Sequence, residues 1–217
     1  MRSKLVLAFA LVVPGLISVS LVGCGGSNPA SSSAPPLPGA TELTGVAQDG
    51  VALGDPDAPR TLAVYADIQC PYCRQWDEGE LPAIVQEHVR SGDVRLEFRG
   101  LAFIGPESDL GLRAVLAAGM QDRLWSLLNV LYANQGAENG GWLTEHSLRR
   151  FAESIPGLDV DRMFSDLDSV EVDTRMEEAR AAAAEAGVNG TPSFQVGRTG
   201  GTLAPVSEGD LHEALTR

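Results

Sequence analysis

Cys70-Pro71-Tyr72-Cys73 stands between an apolar, β-rich run, Thr61-Leu62-Ala63-Val64-Tyr65-Ala66-Asp67-Ile68, and a stretch of helical character. The run before it reads as a buried strand. Proline is favoured in the first turn of a helix, so the first cysteine falls at a helix N-terminus. Unpaired N–H groups and the helix macrodipole favour a thiolate there. Two cysteines so spaced can close a small disulfide, the arrangement needed to trade disulfides with other proteins. Alone, the pair is equally half of a metal site. A second proline motif, Gly190-Thr191-Pro192, shifts the reading to a redox site.

Working outward, the helix after Cys70 continues through Leu81, Ile84, Val85 and Val89, with Pro82 expected to kink it and Ser91-Gly92 to end it. Residues 93–98 read as a second strand with Val94, Leu96 and Phe98 on one face. From about 107 to 186 the apolar spacing turns helical, with Trp125 and Tyr132 read as core. The last of these helices stops at Gly187. Residues 193–196 form a further strand, residues 197–201 a glycine-rich turn, and residues 203–206 an edge strand containing Pro205. Ser207 to Asp210 then cap a final helix. Strand–helix–strand, a helical block, then strand–turn–helix describes an α/β domain with a helical insertion.

Composition bounds the setting. The chain has 217 residues, 44% hydrophobic and 21% charged, with net charge −13. That is one soluble domain with an ordinary core. Such acidity argues against nucleic acid and against electrostatic adhesion to anionic lipid.

The N-terminus offers another route to a membrane. Arg2 and Lys4 precede an apolar run, Pro14-Gly15 interrupts it, and the stretch ends in Leu21-Val22-Gly23-Cys24. Residues 1–23 read as a secretory signal peptide. The last four residues resemble a bacterial lipobox, in which Cys24 is acylated and becomes the mature N-terminus. A retained membrane helix is the rival reading, barely long enough to span. Loss of Arg2 and Lys4 leaves 14 basic against 29 acidic side chains, a net charge of −15. Residues 25–40, rich in Gly, Ser and Pro, then form a tether of about 20–24 Å typical reach. The folded domain is expected over 41–217. Acylation of Cys24 leaves one clean pair, Cys70 and Cys73.

The chain resembles the DsbA-like branch of the thioredoxin superfamily. The resemblance rests on Asp67-Ile68-Gln69-Cys70-Pro71-Tyr72-Cys73, Leu81-Pro82, Trp142-Leu143-Thr144 and Gly187-Val188-Asn189-Gly190-Thr191-Pro192-Ser193-Phe194. It covers roughly residues 50–215. It implies a thioredoxin fold, a central mixed sheet flanked by helices, with an inserted helical subdomain at about 107–186. It also implies an extracytoplasmic thiol–disulfide oxidoreductase that oxidises thiols of exported proteins and is recycled by a membrane redox partner; the lipobox adds that it is lipid-anchored to a bacterial membrane. No cofactor beyond the cysteine pair is implied.

On that reading Cys70 attacks and Cys73 resolves, supported by Pro71, Tyr72, Asp67, Thr191 and Pro192, with a cis Thr191–Pro192 bond. Many members carry a glutamate six residues before the first cysteine, where this chain has Val64. Asp67 is thus either a proton relay or a strand-end cap. Tyr72 brings no positive charge, so the Cys70 thiolate is expected to be less extreme than a histidine there would make it. His88, His146 and His212 read as scattered and solvated, and no metal site is expected. The alternatives are a reductase or isomerase on the same fold, or a non-catalytic tethered binding module.

Overall fold

The computed structural model describes residues 37–40 and 43–217. The signal peptide and Cys24, with the tether as far as residue 36, lie outside the described residues. The elements in chain order are β1 (Gln48–Asp49), β2 (Ala52–Leu53), β3 (Arg60–Asp67), α1 (Pro71–Gly79), α2 (Leu81–Ile84), a π-helical segment (Val85–Val89) and β4 (Val94–Leu101). There follow α3 (Pro106–Gly119), α4 (Leu124–Ala133), α5 (Glu145–Glu153), α6 (Val160–Asp166) and α7 (Val170–Glu185). The chain closes with β5 (Ser193–Arg198), β6 (Leu203–Val206), a 3-10 turn (Glu208–Asp210) and α8 (Leu211–Thr216).

The sheet runs β1-β2-β4-β3-β5-β6, a mixed sheet of the thioredoxin type. Among the described residues only β3 and β4 pair parallel, and β5 returns antiparallel beside β3. This placement follows from β3, whose residues from Thr61 onward are all buried. A strand covered on both faces belongs at the centre of a sheet. Leu62, Val64 and Ala66 face the main core, while Ala63 and Tyr65 point to the opposite face and pack with Ala183 of α7. In β4 the alternation is complete: Val94, Leu96, Phe98 and Gly100 are buried and the residues between them are only partly so. Each fully buried Leu or Ile contributes about 1.5–3 kcal/mol.

Pro82 does more than bend its helix. It lacks the N–H that would bond back to residue 78, so the helix divides at Glu80 into α1 and α2. Wider turns follow, with Arg90 N–H bonded to Val85 O and Asp93 N–H to His88 O. The hairpin β1–β2, too short to show a period, has no counterpart in the sequence reading. At the end of α7, Gly187 adopts φ +67, as its expected role as a stop requires.

The packed chain begins before residue 41. Ala40 is buried, and Leu37 packs against the main core. Short apolar residues inside a polar, glycine-rich stretch give no periodic signal, so the sequence marks this edge only from residue 41. Among the described residues no helix is long and apolar enough to cross a membrane.

Candidate active site

Cys70 is the N-cap of α1, with φ −69 and ψ 119, and no side chain caps this helix. The first-turn amides therefore face the sulfur rather than a competing oxygen. Pro71 occupies the first turn, where its missing N–H costs nothing. The Arg74 N–H bonds to Cys70 O at 3.2 Å and closes the turn. Both cysteines are free thiols, Cys70 5% exposed and Cys73 1%. Tyr72 between them is 68% exposed.

The second motif arrives from β5. The Thr191–Pro192 bond is cis, and Thr191 O accepts a hydrogen bond from Cys70 Sγ at 3.3 Å. Behind it, Phe194 packs its ring against Trp76 of α1 at 5.2 Å between centroids. An apolar contact thus holds the cysteine helix to the proline strand. A groove of about 430 Å³ opens beside the pair, lined in part by Tyr72, Val188, Pro192, Phe194 and Val206.

The two thiols differ in character. Cys70 is lowered from 9.0 to about 6. The hydrogen bond from the Cys73 thiol is the largest cause; burial opposes it, and Thr191 and the Cys73 and Tyr72 amides add to it. Cys73 is pushed up well above its usual value, first by burial and then by its neighbour Cys70. At neutral pH one sulfur is a thiolate and the other keeps its proton.

Asp67 is wholly buried and accepts four hydrogen bonds. These come from Gln69 N–H at 2.9 Å, Ser108 Oγ at 2.6 Å, Phe103 N–H at 3.0 Å and Ile104 N–H at 3.3 Å. Of its two readings, this is the geometry of a strand-end cap. It ties the end of β3 to the loop before α3, and Cys70 N–H bonds to Asp67 O at 3.1 Å. Val64 lies buried in the core.

Several side chains hold this loop through polar contacts that the sequence did not reveal. Gln135 Nε2 donates to Ile68 O at 2.7 Å and Cys70 O at 3.2 Å. Tyr132 Oη donates to Asp67 O at 3.1 Å. Gln69 accepts from Asn139 N–H at 2.6 Å and donates to Ser108 Oγ at 3.1 Å. The helical block thereby fixes the backbone that presents Cys70. Asp77, one turn beyond Cys73, is also buried and accepts from Asn129 Nδ2 at 3.1 Å. On sequence it resembles any acid on a polar helix face.

His146 is exposed as expected, but the other two histidines depart from expectation. His88 is buried and meets His212, with ring centroids 5.9 Å apart.

The family model Thioredoxin_4, described as thioredoxin, matches residues 47–214. The chain is 33% identical over 169 residues to a probable disulfide bond formation protein D of Bacillus anthracis, covering 76% of each. It resembles the crystal structure of a thioredoxin-like oxidoreductase from Silicibacter pomeroyi, with TM-score 0.63 and 31% identity over 76% of this chain and 90% of that one. Oxidised BdbD of Bacillus subtilis shares the fold at TM-score 0.67 and 21% identity, over 79% of this chain and 95% of that one.

Proposed function

The chain belongs to the DsbA-like thioredoxin family and is a thiol–disulfide oxidoreductase; from that premise we propose that it oxidises thiols of exported proteins outside the cytoplasm through a Cys70–Cys73 disulfide. The likeness to disulfide bond formation protein D supports the direction, and the asymmetry of the pair supplies the thiol-exchange chemistry. Cys70 sits at a helix N-terminus among amides that favour its thiolate, and Cys73 is enclosed behind it.

In the oxidised enzyme a substrate thiolate attacks Cys70 Sγ, forming a mixed disulfide and expelling the Cys73 sulfur, which takes a proton. A second substrate thiolate then attacks the substrate sulfur of that mixed disulfide. A substrate disulfide forms, and Cys70 leaves as a thiolate. Two electrons pass from substrate to enzyme. A thiol ionising at about 6 leaves readily and stabilises the reduced enzyme, the property of an oxidant. The exposed Tyr72 and the adjoining groove give an extended substrate segment apolar surface beside the sulfur. Pro71 and Thr191-Pro192 frame that position.

The remaining parts of the proposal rest on sequence. Residues 1–23 direct export, acylated Cys24 anchors the chain to the membrane, and a short tether leads to the domain. A membrane redox partner reoxidises the pair, and no cofactor beyond it takes part. The value of Cys70 also lies near that of thioredoxin, about 7, which makes a reductase on the same fold the second reading.

The experiment is stoichiometric oxidation of a reduced, unfolded test protein by the oxidised enzyme. Two thiols should disappear per enzyme and Cys70→Ser should abolish the reaction, while reduced Cys73→Ser, given the disulfide-bonded form of the test protein, should be trapped as a mixed disulfide at Cys70. Unchanged oxidation by Cys70→Ser would overturn the assignment.

A further inference from the structure

His88 and His212, far apart in sequence, converge where the π-helical segment meets α8. His88 is 8% exposed, and its Nε2 is buried with no hydrogen-bond partner among the described residues. Beside it in sequence, Glu87 is exposed and brings Oε2 to 3.6 Å from His212 Nδ1. Glu80 places Oε2 3.5 Å from the other nitrogen of the same ring, Nε2. One donor atom from each of Glu87, His88 and His212 falls within 4.8 Å of the others.

The geometry points to a divalent-metal site in which His88, His212 and Glu87 bind a Zn²⁺-class cation and Glu80 orients His212. Two imidazoles and one carboxylate suit Zn²⁺ and its first-row neighbours, whereas Ca²⁺ and Mg²⁺ prefer oxygen alone. Three protein ligands leave the fourth tetrahedral position to water. Glu80 stands 3.5 Å from Nε2 of His212, placed to take its N–H when Nδ1 turns to a metal beside Glu87, the carboxylate–histidine–metal relation common around bound metals. The two carboxylates balance the charge of the ion. With bonds of about 2.0–2.2 Å, tetrahedral donors stand roughly 3.3–3.5 Å apart, so the ligands draw together on binding. Glu87 and His212 have the exposure to do so, while His88 is fixed by burial. A protonated His212 held between two glutamates accounts for the ion pairs alone. It leaves the buried Nε2 of His88 without a role. The bound ion ties the C-terminal helix to the segment that follows the cysteine helices, a site separate from the redox pair in the residues it uses.

The test is calorimetric titration of the full chain with Zn²⁺ alone, after the Cys70–Cys73 pair has been closed as a disulfide so that its thiols do not compete. One equivalent should bind, and Zn²⁺ should raise the melting temperature. His212→Gln and Glu87→Gln should each weaken binding at least tenfold, while His146→Gln, at an exposed position elsewhere, should leave it unchanged. His212 is half-exposed, so its variant tests the site even if His88→Gln fails to fold. Absence of saturable binding, or binding that His212→Gln leaves intact, overturns the proposal.

Discussion

The Cys70 sulfur lies 3.3 Å from the carbonyl oxygen of Thr191, so the thiol donates to the loop that closes the site from the other side. Ionisation removes that donor and creates an acceptor. The amides of Tyr72 and Cys73 and the Cys73 thiol then carry the charge. The hydroxyl of Thr191 is buried with no hydrogen-bond partner among the described residues while Cys70 is protonated.

That hydroxyl is available to the thiolate. Thr191→Val, which keeps the shape and removes the O–H, should raise the midpoint of Cys70 alkylation by about one unit, the effect of one hydrogen bond to a charged group. The check is the rate of iodoacetamide labelling against pH. An unmoved midpoint in a folded variant would mean that the hydroxyl plays no part.

The pair should also titrate in two regimes. Cys70 ionises near pH 6 and Cys73 stays protonated, so reduction takes up two protons below that point and one above it. The potential should fall by about 59 mV per pH unit below pH 6 and about 30 mV above. The same shift governs the stability of the reduced protein. The folded value of Cys70 lies below its usual 9.0, so its contribution is fully present above about pH 9 and is lost as pH falls towards 6. Denaturant titrations of reduced protein against Cys70→Ser should show the gap widening from pH 6 to 9. A constant gap would contradict the shift.

Asp67→Ala should cost about 3 kcal/mol or more, because four donors lose their acceptor in a site without water access. For a domain of this size that is roughly 10 °C in melting temperature. If the variant melts within about 2 °C of the parent, Asp67 is not the anchor of this loop.

Gly39→Ala tests the early start of the packed chain. Gly39 has φ +85, and a Cβ there would meet Asn129 O at 2.6 Å. The variant should lose about 1–2 kcal/mol. Equal stability by thermal melting would place residues 37–40 off the domain.

The site was legible where its chemistry needs particular residue types at fixed spacing. Cys70, Cys73 and Pro192 announced themselves in that way, and the apolar, β-rich run 61–68 read as a buried strand, as β3 is at seven of its eight positions. What escaped were polar residues whose partners are distant in sequence. Gln69, Asn139 and Gln135 lie in loops, where polarity is ordinary, and only the fold shows them bonded to one another or to the cysteine backbone. Asp77 and His88 looked like members of solvated helix faces. Both lie at helical spacing from the buried Leu81, Ile84 and Val85, so the period placed them inward and only their polarity argued otherwise.

The central claim is that the pair is an oxidant, and its equilibrium reduction potential against glutathione at pH 7 tests this most directly. The likeness to disulfide bond formation protein D predicts a value towards about −120 mV, where strong disulfide donors lie. A value near about −270 mV, that of thioredoxin, would make the protein a reductase and contradict the proposed direction of electron flow.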